Sequence, residues 1–85
     1  MIYAKFTNPK AGYPSDKEKC TRLGLVINQE YEMQGISVGS HSSTVQLKDF
    51  PNEFLNSIHF EYYEYHNGMK YEVDVYSRFY ENPYL

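Results

Sequence analysis

The chain has no tryptophan and one cysteine, Cys20, so it cannot close an intramolecular disulfide. No second thiol or neighbouring histidine completes a metal or redox motif around that cysteine. A reducing, cytoplasmic setting fits. Long apolar runs are also missing. Residues 1–10 lack the hydrophobic stretch of about 7–15 residues that a signal peptide needs, and nothing approaches the roughly 18 apolar residues of a membrane span. The expectation is a chain neither exported by that route nor inserted in a membrane. Basic residues are the minority, 8 Lys and Arg against 11 Asp and Glu, for a net charge of -3. They gather in residues 1–22, as Lys5, Lys10, Lys17, Lys19 and Arg22, whereas residues 61–85 carry Glu61, Glu64, Glu72, Asp74 and Glu81. Duplex nucleic acid is a poor ligand for such a surface, because phosphate binding relies on clustered Lys and Arg.

Aromatic residues are abundant. Ten Tyr and five Phe among 85 residues favour strands, where flat rings pack on a pleated surface, and the same Tyr are suited to binding. The length allows one core and therefore a single domain over residues 1–85.

Apolar and polar residues alternate with the period of a strand in several places. Residues 2–6 read as a first strand. Residues 8–18, with Pro9, Gly12 and Pro14, read as a loop-rich segment, and residues 19–27 as a strand or an extended arm. Tyr31 and Met33 would face the core. Ile36 and Val38 are out of phase with them, which calls for a bulge or bend at Gly35. A polar tip over residues 39–43 leads into Val45 and Leu47, completing a hairpin. Residues 49–55 read as a single helical or 3₁₀ turn anchored by Phe50 and Phe54. Residues 58–65 and 70–76 form a hairpin around Asn67-Gly68, with Ile58, Phe60 and Tyr62 on one face and His59, Glu61, Tyr63 and Tyr65 on the other. On the return strand Tyr71, Val73 and Val75 share a face, as do Glu72, Asp74 and Tyr76. The aromatic tail, residues 79–85, is expected to pack back on the sheet. No amphipathic helix of normal length is predicted. The pattern describes a mostly β fold: a small, closed, SH3-like barrel of five strands with a one-turn helix and an extended N-terminal segment.

The run from Leu25 through Tyr31 and Met33 resembles a group of small SH3-like proteins encoded by phages and prophages. So do Val38-Gly39-Ser40-His41, Thr44-Val45, Leu47-Lys48-Asp49-Phe50-Pro51, Asn56-Ser57 and Phe60-Glu61. The likeness spans residues 19–65 and departs at Asn28-Gln29, where the group has a Gly-Lys turn, and at Leu55, where it has a Phe. It implies an accessory gene of a mobile element. Many such genes encode blockers of host defences, among them anti-CRISPR proteins and sponges for nucleotide immune signals.

Catalytic and metal sites are not assembled by these residues. His41, His59 and His66 show no ligand spacing and read as isolated surface or rim residues. Glu61 and Glu64 point to opposite faces of a strand, and Glu72 with Asp74 reads as a solvated face. The expectation is no enzyme, no cofactor and no metal. The candidate partner-binding residues are Tyr63, Tyr65 and Glu61, with Tyr76 across the hairpin and His41 at the tip. Exposed Tyr beside carboxylates can engage the Arg or Lys of a host protein. A second candidate is a ligand pocket of His41, Ser43, Asn56 and Ser57, suited to a small nucleotide. A third reading is a barrel that stacks single-stranded nucleic acid on its Tyr rings, against which the acidic C-terminal half argues.

Overall fold

The structure is a computed structural model and describes residues 1–39 and 41–79. Six strands, β1 (Ile2–Phe6), β2 (Glu30–Val38), β3 (Ser43–Leu47), β4 (Phe50–Asn56), β5 (Phe60–His66) and β6 (Met69–Glu72), form one antiparallel sheet in the order β4-β3-β2-β1-β5-β6. Two α-helices, α1 (Pro14–Leu23) and α2 (Val75–Phe79), and a 3₁₀ turn at Ser57–His59 complete it. The mostly β class is as expected, but closure is not. β4 and β6 end the strand order and do not pair with each other, and there are six strands rather than five.

Strict alternation builds the middle of the sheet. Ile2, Ala4 and Phe6 of β1 are buried while Tyr3 and Lys5 point away, and Phe60 and Tyr62 of β5 meet them on the buried side. The phase slip in β2 is absorbed as anticipated. The register with β3 shifts between Met33 and Gly35, so Met33 and Ile36 both reach the core. Val45 and Leu47 of β3 and Leu55 of β4 extend that core, which α1 enters with Cys20 and α2 with Val75 and Phe79. At the β5–β6 turn Asn67 and Gly68 have φ of 51° and 79°, the pair of left-handed residues that a tight hairpin demands.

Three expectations are corrected. Residues 14–23, expected as part loop and part extended arm, are helical. Pro14 opens α1, Asp16 accepts the Tyr13 backbone N–H at 2.9 Å, and Gly24 closes the helix at φ 71°. Residues 49–55, expected as a helical turn, fall almost wholly in the edge strand β4 (Phe50–Asn56), a place where Pro51 is tolerated because its missing N–H faces no partner. The 3₁₀ turn instead follows it, capped by the Asn56 side chain on the Ile58 N–H at 3.2 Å. The return strand stops at Glu72. The Asp74 carboxylate accepts the Ser77 N–H at 3.2 Å and starts α2, so Val75 is buried from a helix. Of the aromatic tail expected to pack on the sheet only Phe79 is described; it is buried, and residues 80–85 lie outside the described residues, as does Ser40 of the tip.

Candidate functional site

Two separate surfaces collect the residues singled out in the sequence. The first is the face of the sheet opposite the core. Both helices send buried side chains into the core, so among the described residues nothing covers this other side of β1, β2, β5 and β6. The strand register places Tyr3 beside Tyr63 and Glu32, Lys5 beside Glu61 and Glu30, Tyr63 beside Glu72, and Tyr65 beside Lys70. Tyr63, Tyr65 and Glu61 therefore share one surface, as alternation implies. Tyr3, Glu30 and Lys70 join it. The outward parity of Tyr3 was readable from its buried neighbours Ile2 and Ala4, but its adjacency to Tyr63 requires the β1–β5 pairing, which no local pattern announces.

The aromatic rings on this face are held in place. The Tyr65 hydroxyl donates to Glu30 Oε1 at 2.6 Å, and Lys70 Nζ donates to Glu30 Oε2 at 3.3 Å while standing 4.0 Å from the centre of the Tyr63 ring. Tyr3 and Tyr65 pack edge to face at 5.5 Å. The Tyr63 hydroxyl reaches Glu61 Oε2 at 3.4 Å. Titration follows these contacts. The bond from Tyr65 and then Lys70 hold the Glu30 carboxyl below its ordinary range. The same bond to a carboxylate raises the Tyr65 phenol, and partial desolvation, then the charge of Glu61, raises that of Tyr63.

The second surface is a cleft of about 820 Å³. Its walls come from four places in the chain: Gly12 and Tyr13 before α1; Gly39, His41, Ser42 and Ser43 at the β2–β3 tip; Asn56, Ser57 and Ile58 after β4; and Tyr76 of α2. All four residues of the candidate pocket, His41, Ser43, Asn56 and Ser57, line it together. Ser57 is buried. Its carbonyl accepts the Tyr62 hydroxyl at 2.7 Å, and its own hydroxyl lies 3.0 Å from that of Tyr76. Behind Asn56 sits Asp16, which accepts Asn56 Nδ2–H at 3.2 Å and is held below its ordinary range by the Tyr13 N–H. Among the described residues no Lys or Arg lines the cleft.

Two site assignments change. Tyr76, expected across the hairpin from Tyr63, lies on α2 and joins the cleft, because the return strand ends first; Glu72 takes the place opposite Tyr63. His41, expected to act with the Tyr residues, lines a cleft to which Tyr63, Tyr65 and Glu61 do not contribute. A third correction concerns His59, expected on the exposed face. The 3₁₀ turn breaks alternation there, so Ile58 is exposed and His59 fully buried between Phe6 and Phe60. His59 Nδ1 lies 2.9 Å from the Asn8 carbonyl, and Nε2 has no hydrogen-bond partner among the described residues.

Among the described residues no three His, Cys, Asp or Glu side chains stand close enough to hold a metal ion, and no helix is long and apolar enough to cross a membrane. The Cys20 thiol is buried and pushed up by that burial, the reverse of what an activated nucleophile needs.

No curated protein and no solved structure matches the chain. The family model described as bacteriophage T4 protein Y07B matches residues 1–85. The match covers the full length, and the chain belongs to the bacteriophage T4 protein Y07B family.

Proposed function

We propose that this phage protein is a non-enzymatic binding protein. In this reading it attaches to a host protein in the cytoplasm, in the manner of an anti-CRISPR-like inhibitor of a defence component, through the face that carries Tyr3, Tyr63 and Tyr65. One observation carries the reading: three Tyr side chains stand together on an uncovered sheet face, with Tyr65 hydrogen-bonded to Glu30 and Lys70 held over Tyr63. Rings already fixed lose little entropy on docking, and Tyr offers large contact area with a polar tip. Glu30, Glu32, Glu61 and Glu72 outnumber Lys5 and Lys70 on this face, which favours a basic patch on the partner and disfavours single-stranded nucleic acid.

The test is a tagged pull-down from bacterial lysate with mass spectrometry, run in parallel for the wild type and a Tyr63→Ala/Tyr65→Ala variant of matched circular dichroism and melting. A stoichiometric partner retained by the wild type and lost by the variant supports the reading. Equal retention by both removes this face from the function.

A second reading rests on the meeting of His41, Ser43, Asn56, Ser57 and Tyr76 in one cleft. It is a sponge for a small ligand. A lining without Lys or Arg among the described residues favours an uncharged, hydrogen-bonding ligand over a phosphate-rich nucleotide. Mass spectrometry of small molecules released on heating the purified protein tests it; a released compound lost from the Ser57→Ala and Tyr76→Phe variants supports it, and a preparation free of any such compound opposes it.

A further inference from the structure

The two edges of the sheet are treated differently. Along β4, α1 places Lys19 Nζ on the Phe54 carbonyl at 2.8 Å and pairs Arg22 with Glu53 at 3.1 Å. Along β6 all four residues are exposed, and among the described residues nothing pairs with its outer side. Which backbone groups that side offers follows from the ladder. Val73 N–H donates to the Tyr62 carbonyl at 2.9 Å, and in an antiparallel pair bonded and non-bonded partners alternate. Tyr71 is therefore bonded to Glu64 and Met69 to His66, while the N–H and C=O groups of Lys70 and Glu72 point outward.

We propose that this edge pairs with β6 of a second copy, antiparallel and centred on Tyr71. In that register Lys70 lies opposite Glu72 of the partner subunit and Glu72 opposite Lys70 of the partner subunit, and each pair exchanges two main-chain bonds, so every outward group of the edge is satisfied. The side chains agree with the backbone. Lys70 and Glu72 stand on the Tyr face, where the carboxylate of each Glu72 comes opposite a Lys70 whose ammonium Glu30 of its own subunit already engages on the inner side. On the other face Tyr71, 49% exposed, meets its own copy in the closely spaced position, flanked by Met69, 60% exposed. An isolated Lys on an edge strand repels another edge, whereas a Lys and a Glu two residues apart are complementary to themselves. The contact is small beside the roughly 1,200–2,000 Å² of a stable interface, so the dimer is weak and concentration-dependent. It borders the Tyr face through Lys70 and Glu72 but leaves Tyr3, Tyr63 and Tyr65 uncovered, and a chain that stays monomeric keeps that face for the partner proposed above.

Sedimentation velocity over about 10 µM to 1 mM is the experiment, with circular dichroism as the control for folding. The wild type should shift from monomer to dimer across this range. Glu72→Lys sets Lys against Lys twice and should weaken association by roughly tenfold or more. Lys70→Glu should do the same, and the double exchange Lys70→Glu/Glu72→Lys should restore it. Glu72→Pro removes an outward N–H that has no partner among the described residues and should abolish the dimer. A wild type that stays monomeric at the highest concentration overturns the proposal. Association indifferent to Glu72→Lys and Glu72→Pro overturns it as well.

Discussion

Tyr65 and Glu30 meet, hydroxyl to carboxylate at 2.6 Å, although β1 lies between their strands. They are also far apart in register, since Glu30 stands opposite Lys5 whereas Tyr65 lies one residue beyond the Glu64–Ile2 pair. The long Tyr and Glu side chains span that diagonal across β1, with the Tyr65 ring packed edge to face on Tyr3 at 5.5 Å along the way.

That contact has a readable consequence. Tyr65→Phe removes the hydroxyl that holds the Glu30 carboxyl below its ordinary value of 4.5, so Glu30 should titrate closer to that value in the variant. An NMR pH titration of the Glu30 side chain measures it. An unchanged midpoint would mean that the bond does not form in solution.

Asp16 links α1 to the cleft, accepting from Tyr13 N–H and Asn56 Nδ2–H. Its folded carboxyl lies below the ordinary value of 3.8, so its contribution is complete above that pH and is lost as pH falls through the folded value. Asp16→Asn keeps an oxygen for the Tyr13 N–H but loses the charge, so it should lower stability at neutral pH by about 0.3–1 kcal/mol, the usual worth of a carboxylate in the first turn of a helix. Urea melts should then converge for wild type and variant at acidic pH. A constant gap between them at pH 7 and at the acid end would show that charge plays no part.

β4 supplies a test of alternation against the helical turn expected for its residues. Leu55 is 1% exposed opposite Val45, while Phe54 beside it is 57% exposed. Leu55→Ala should cost about 2–5 kcal/mol in chemical denaturation. Phe54→Ala should stay within about 0.5 kcal/mol. The reverse order would fit a turn anchored by Phe54.

These residues also mark where local patterns carry information. β2, β3 and the β5–β6 hairpin were legible because alternation and Asn67-Gly68 report directly on backbone geometry. α1 was not, since Cys20 is its only buried residue and leaves no apolar stripe; its signals were at its ends, in Pro14, Asp16 and Gly24. β4 was hidden by Pro51, which reads as a breaker until the strand is known to lie at an edge. The cleft was legible in part: His41, Ser43, Asn56 and Ser57 were grouped from the sequence, but Tyr13 and Tyr76 reach it only through the two helices. The neighbours of Tyr63 and Tyr65 depend on long-range pairing with β1, which composition and spacing do not encode.

The seat of α1 on β4 bears on how large an assembly can become. A sheet with two open edges adds copies without limit and yields fibres. Here Lys19 and Arg22 occupy one border. A two-fold join through β6 consumes the other border of both subunits at once, leaving outward only the β4 borders, which α1 contacts through Lys19 and Arg22. In that arrangement the symmetry of the β6 join itself closes the assembly at two.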